Sequence, residues 1–267
     1  MKINTRILLA PVMVLFMMCG GFGAESAHAD HENAELVRVG GYPFEPFVED
    51  GQGITADFLE LLNRSQDQLR FEMVSIPSQR RYELMRREVI DAVFFEMPVW
   101  GWQNYQSDID VSSPILRGTE IFVARREESG KEAVFNLNPK RKVAVTLGYH
   151  YAFADFRADQ NHIRSVVDAV FAEKISQTLR YLRSGAVDLA VMSDIFLLSQ
   201  YQRAPHLKSE LAIGPIADHD YSLPVIVHKN APVTAQQIDD LVGQLKRSGE
   251  LEAFFARFGI ESLILDQ

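Results

Sequence analysis

"RREVIDAVFFE" (Arg86–Glu96) and "RSGAVDLAVMSD" (Arg183–Asp194) stand far apart in the chain and follow one plan. In each, a helical stretch with a basic or glycine end runs into an apolar segment through an aspartate followed by Ala or Leu. A short continuous apolar run bounded in this way reads as a strand buried on both faces. Two copies of the same helix-to-strand junction imply two α/β units, one after the other.

The surrounding sequence fits. "ELVRVGGY" (Glu35–Tyr42) reads as a strand that ends in a loop holding Pro43 and Pro46. "ITADFLELLNRSQ" has apolar residues at helical spacing, with Thr55 expected as N-cap. "RFEMVSI" (Arg70–Ile76) alternates as a strand and Pro77 closes it; Ser78 is expected to cap the basic helix "QRRYELMRRE". With "VIDAVFFE" (Val89–Glu96) as the next strand, the order is β-α-β-α-β, the signature of a parallel sheet with helices on its faces. A charged stretch, Glu127–Lys142, separates this unit from the strand "KVAVTLGY". A helix is expected over "VVDAVFAEKISQTLRYLRSG" (Val166–Gly185), although its first part could hold a short strand. A strand "AVDLAVMS", a helix opening at Asp194 and a strand "YSLPVIVHK" follow, with Pro224 suggesting an edge or a bulge. Two helices end the chain, the first capped by Thr234 and Gly249.

Residues 1–29 have the form of a cleaved secretory leader: Lys2 and Arg6, an apolar run over residues 7–24, and Ala-x-Ala before Asp30. The run is near the lower limit for spanning a membrane, but Pro11, the Gly20–Gly21 pair and the Ala-x-Ala ending favour cleavage. Met18 stands where a lipid anchor on Cys19 would need a small residue. Cys19 is the only cysteine, so the mature chain has no disulfide and must rely on a large core. The net charge is −9 and no basic run is present, which argues against nucleic acid and anionic membrane surfaces as partners. Metalloprotease, hydrolase, dinucleotide and Walker signatures are absent. "ADHDY" (Ala217–Tyr221) and Asp30–His31 lack partners at fixed spacing, so no metal and no cofactor are expected.

In the order and spacing of its phrases the chain resembles the extracellular solute-binding proteins of family 3, the periplasmic amino-acid-binding components of ABC importers and their relatives. "VRVGGYPFEPFVEDGQGITADFLELL" is similar to the family's opening strand, aromatic loop and first helix. "VIDAVFFEMPVW" with the later "DVSSPIL" is similar to the clamp segment, and "KVAVTLGYHY" to the start of the second lobe. "SGAVDLAVMSD" and "LKRSGELEAFFARFGI" match a late strand and the closing helices. The resemblance implies a two-lobed α/β clamshell of the type II periplasmic-binding-protein kind, with a ligand cleft between the lobes. Lobe one would take residues 30–122 and 215–267, and lobe two residues 123–214, with hinge crossings near Ile121–Arg126 and Leu211–Ala217.

In the family, a Thr-x-x-Arg clamp grips the ligand carboxylate. On that pattern Trp100 stands at the Thr and Gln103 at the Arg, and an amide cannot supply the charged fork. An ordinary α-amino acid is therefore in doubt as ligand. Asp194 matches the position that receives a ligand amino group, but would also serve as an N-cap. Ligands of open α/β sheets lie beyond the carboxyl ends of strands, which selects Glu96, Tyr42, Phe44, Trp100, Trp102 and Tyr149, with Tyr151 and Phe47 nearby. Arg80, more than Arg81, is the candidate anion contact at a helix start. The rings bias the ligand toward an aromatic, heterocyclic or cationic solute.

Three functions are open. The first is capture of a small solute for an inner-membrane ABC permease, by a monomer. The second is a periplasmic sensor that shows its closed state to a membrane signalling protein. The third, favoured by nothing in the sequence, is a dehydratase-like enzyme, for which Glu96 would be the acid.

Overall fold

The computed structural model describes residues 34–129 and 132–265; the expected leader lies outside the described residues. In chain order the elements are β1 (Glu35–Gly41), α1 (Ile54–Ser65), β2 (Leu69–Ser75), α2 (Arg81–Arg86), β3 (Ala92–Val93), β4 (Ile109–Val111) and β5 (Leu116–Arg125). Then come α3 (Arg126–Ser129), β6 (Lys142–Thr146), α4 (Gln160–Val166), β7 (Asp168–Ala172), α5 (Ile175–Arg183), β8 (Leu189–Ser193) and α6 (Asp194–Arg203). The chain closes with α7 (Leu207–Glu210), β9 (Leu211–Leu223), β10 (Ile226–His228), α8 (Ala235–Ser248) and α9 (Glu250–Ala256).

Two five-stranded sheets result, in the orders β2-β1-β3-β10-β4 and β7-β6-β8-β5-β9. The first three strands of each are parallel and the last two join antiparallel, so each sheet is mixed. β5 and β9 run side by side from the Leu116–Leu223 pair to the Arg125–Leu211 pair. Leu116 and Leu223 pack in the core of the first lobe, whereas Ile121, Val123 and Leu211 pack in that of the second. This strand pair therefore passes from one lobe to the other.

The repeated aspartate has one job in both lobes. Asp91 N donates to Arg38 O (2.7 Å) while its carboxylate accepts from Arg38 N (2.7 Å), closing a ring at the side of β1. Asp188 makes the same pair of contacts with Lys142 of β6, at 3.0 and 3.2 Å. In the first lobe Arg38 adds a bidentate grip on Asp91 through Nε (2.8 Å) and Nη2 (2.6 Å). The aspartate thus fixes where the chain, leaving its helix, joins the middle of the sheet.

Several boundaries differ from expectation. The strand expected over Val89–Glu96 is only Ala92–Val93, because Phe95 takes φ 56° and bends the chain. Packing against Phe47, Phe58 and Phe255 holds this conformation, which bulky residues rarely adopt. The helix expected over Val166–Gly185 divides into β7 and α5, so the short strand at its start is real. Gly53, not Thr55, precedes α1, and Thr55 is buried inside the helix. Ser78 opens a short 3-10 turn without a side-chain cap. Pro224 falls between β9 and β10. Thr234 caps α8 in a full capping box with Gln237, and Gly249 ends the helix at φ 78°. Thr234→Ala is expected to cost about 1 kcal/mol, read as a lower urea midpoint at unchanged slope.

Candidate functional site

The loops after β1, β2 and β6 face one another across a cleft of about 910 Å³. Tyr42, Phe44, Arg80, Arg81, Tyr82 and Trp100 line it from the first lobe; Thr146, Tyr149 and Lys174 from the second; Glu120 and His219 from the connecting strands. The lobes meet at its edge. Glu45, 6% exposed, accepts from Ser176 N (2.9 Å) and Oγ (3.2 Å) in the first turn of α5, where a helix favours an anion. Lys174 stands 3.3 Å from Asp50, and the Phe44 and Tyr149 rings lie 6.2 Å apart.

Five of the residues anticipated from sequence line the cleft: Tyr42, Phe44, Arg80, Trp100 and Tyr149. Four do not. Trp102, 1% exposed, packs into the first lobe against Tyr82 at 4.8 Å. Gln103 is exposed and donates to Val99 O at 2.8 Å. Asp194 accepts from Thr119 N (2.9 Å) and Ile195 N (2.7 Å), tying α6 to β5; Ser193 is the N-cap. Glu96 is fully buried behind Tyr42, because the bend at Phe95 turns it inward.

Glu96 organises a buried network. The Tyr42 hydroxyl donates to its Oε2 at 2.7 Å, and Arg81 Nε stands 3.3 Å from the same oxygen. Burial pushes the carboxyl up; the Arg81 charge and the Tyr42 donor oppose that. Arg81 is spent on this structure. Nη1 donates to Ser78 O (2.6 Å) and Nη2 to Trp100 O (3.0 Å), and the guanidinium lies 5.0 Å from the Tyr42 ring centre and 4.3 Å from that of Tyr82. Arg80 is the rim residue, more than half exposed and 3.6 Å from Glu83.

The connecting strands carry the residues that sequence reasoning missed. Glu120, 4% exposed, has its Oε2 buried without a hydrogen-bond partner. Burial, with Asp218 and Asp194 near, pushes its carboxyl up to about 8. Its cross-strand partner is His219, and the register shifts there so that Ile121 pairs with Ala217. Asp218 is the extra residue of this bulge, which lets consecutive side chains act together. The Asp218 carboxylate accepts from Ala152 N (2.7 Å), Phe153 N (2.9 Å) and His219 Nδ1 (2.8 Å). His219 Nε2 is left buried and unpaired, as is Thr146 Oγ1. The signal for Glu120 was available: a lone acid abutting the apolar run Ile121–Ala124, the same logic that selected Glu96.

Rings complete the walls. Trp100 meets Phe44 edge-on at 5.6 Å and Tyr221 at 5.7 Å. The Tyr221 ring covers Gly118, where an added Cβ would stand 2.4 Å from it, so the glycine makes room for the ring.

No family model matches the sequence. No curated protein is similar to it at a significant level. Solved structures do match. An ancestral cationic amino acid solute-binding protein shares 16% identity over 86% of this chain and 97% of its own, with a TM-score of 0.64. An amino acid ABC transporter substrate-binding protein from Streptococcus pneumoniae, bound to L-arginine, shares 17% over 87% and 97%, with a TM-score of 0.60. The L-cystine solute receptor of Neisseria gonorrhoeae, unliganded and open, shares 16% over 88% and 97%, with a TM-score of 0.58. This chain thus has the two-lobed fold of the type II periplasmic binding proteins.

Proposed function

We propose that this chain is an exported solute-binding protein, which captures a small polar, aromatic or cationic solute between its lobes and delivers it to an ABC importer. The observation that carries the reading is the gathering of unpaired buried polar atoms on one cleft. Glu120 Oε2, Thr146 Oγ1 and His219 Nε2 belong to residues that line it. Buried polar atoms without partners are costly, and a bound solute would satisfy them. The size suits a small solute. Residues 30–122 with 215–267, and 123–214, would be the two lobes, and the β5–β9 pair the hinge about which they close. The leader pattern over residues 1–29 supports export. Among the described residues no helix is long and apolar enough to cross a membrane.

A thermal-shift screen of a solute library, followed by calorimetry on the hits, tests the reading. At least one small solute is expected to raise the melting temperature in proportion to the logarithm of its concentration. A folded protein that no solute stabilises would overturn it. In the same assay Trp100→Ala is expected to weaken the hit by more than about 1 kcal/mol, since the indole is shared between Phe44 and Tyr221 at the cleft wall. An unchanged affinity would remove Trp100 from the site. Uptake of the identified solute by cells with and without the gene then tests delivery.

A further inference from the structure

The charges in the cleft are divided unevenly between its two ends. At the first-lobe end the one buried cation, Arg81, is committed, whereas Arg80 is exposed and shares Glu83 with Arg87, which stands closer at 2.9 Å. Arg81 is held by Glu96 and two carbonyl oxygens. Lys174, across the mouth, pairs with Asp50. The position where a clamp arginine was anticipated is Gln103, which is exposed and turned to Val99. A ligand carboxylate would meet no uncommitted cation in the buried part of the cleft; Arg80 and Lys174 stand at its exposed rim.

At the other end the free groups accept. Among the described residues Glu120 Oε2 has no hydrogen-bond partner, and no cation is within salt-bridge distance of it. His219 gives its Nδ1–H to Asp218, because a carboxylate bonded to two amides can only accept. Nε2 is therefore the ring's one free position, and in the neutral ring it is an acceptor. Thr146 Oγ1, a hydroxyl that can accept or donate, is also unpaired there. Tyr149 and Tyr221 lie near Glu120, and Phe44 and Trp100 pack against them. An unpaired acid, a free imidazole nitrogen and aromatic walls together match a group that donates several hydrogen bonds and carries positive charge.

We infer that the solute is an organic cation without a carboxylate, an amine or guanidine whose charged head lies between Glu120 and His219 while its body lies against Phe44, Trp100 and Tyr149. This rests on the solute-binding reading and narrows it: a zwitterionic α-amino acid would bring a carboxylate to a buried cleft interior whose one cation, Arg81, is already held by Glu96.

Matched pairs that differ only by the carboxylate test the inference on the full mature chain: agmatine against L-arginine, cadaverine against L-lysine, and tyramine against L-tyrosine. At pH 8, calorimetry is expected to show at least one amine binding tenfold or more tighter than its amino acid. Glu120→Gln is expected to weaken that amine by tenfold or more while the protein stays folded. If the amino acid of the best pair binds as tightly or more tightly, or if only neutral solutes bind, the cation inference falls and solute binding stands. If Glu120→Gln leaves amine affinity unchanged, the assignment of the head group to Glu120 falls. If neither these probes nor any solute in the wider library binds, both readings fall together.

Discussion

Replacing Arg81 with leucine is expected to destabilise the folded protein by about 3–5 kcal/mol near pH 7, the cost of leaving a buried carboxylate without its counter-ion. Glu96 is wholly inaccessible, and Arg81 is its only ionic partner within 4 Å among the described residues. The substitution also removes one of two donors from Ser78 O and from Trp100 O, which keep, respectively, the backbone N–H of residue 81 and the Tyr82 hydroxyl. The loss should have a pH signature. Burial already raises the Glu96 carboxyl, and without Arg81 the acid would stay protonated in the folded state to still higher pH. A raised acid costs nothing below its unfolded value, where both states hold the proton, and its cost grows as pH rises above that value. The deficit of Arg81→Leu against wild type is therefore expected to shrink toward pH 4 and widen toward pH 7. Adding Glu96→Gln removes the charge at its source and should recover much of the stability, with a coupling energy well outside additivity. Urea denaturation of the four proteins in this cycle decides it. A single-variant loss under about 1 kcal/mol, or additive losses, would mean that the pair does not hold this part of the lobe.

This buried pair illustrates what the sequence could and could not reveal. The alternation of elements was legible because strand and helix periods are local, and the repeated aspartate marked both sheet junctions. The strand-end rule brought Tyr42, Phe44, Trp100 and Tyr149 to the cleft for the same reason: where strands end, loops meet. Choosing between Arg80 and Arg81 was a different problem. Adjacent residues on a helical turn point about 100° apart, so a shift of one position exchanges a rim side chain for a buried one. The inward turn of Glu96 depended on the positive φ of Phe95, which tertiary packing imposes and no pattern announces. His219 stood in a polar phrase, "ADHDY", that reads as an ordinary loop; only the bulge at Asp218 turns it to the cleft. Glu120 precedes its apolar run instead of ending it. It stands just before the expected crossing Ile121–Arg126 rather than at the carboxyl end of a strand, so the strand-end rule does not reach it, although it lines the cleft.

Glu120 also yields the second large effect, of opposite sign. Its carboxyl stands at about 8 in the folded protein against an ordinary 4.5, raised first by burial and then by Asp218 and Asp194. Facing it are His219, Asp218 and Tyr221 from β9, Asp194 from the start of α6 and Tyr149 from the loop after β6, and none of these is a cation bonded to it. The folded state keeps a proton that the unfolded chain releases from about pH 4.5 upward, so stability falls between those values and levels off above the higher one. At 1.36 kcal/mol per unit the full penalty has an upper bound of about 5 kcal/mol. Glu120→Gln fills the same space without the proton equilibrium. Against wild type it is expected to melt at nearly the same temperature near pH 4.5, and roughly 5–10 °C higher at pH 8. A binding cleft explains why so costly a group persists. A bound cation supplies the missing charge, so wild type should recover the difference when saturated with its amine, whereas Glu120→Gln should gain little. For wild type the amine affinity should itself rise with pH up to about 8 and then level off, because the carboxylate form receives the cation. Calorimetry in buffers of different ionisation heat should find a proton released on binding at pH 7. Equal melting temperatures for the two proteins at pH 8, or binding without proton release, would show that Glu120 is not a strained acid waiting for a cation.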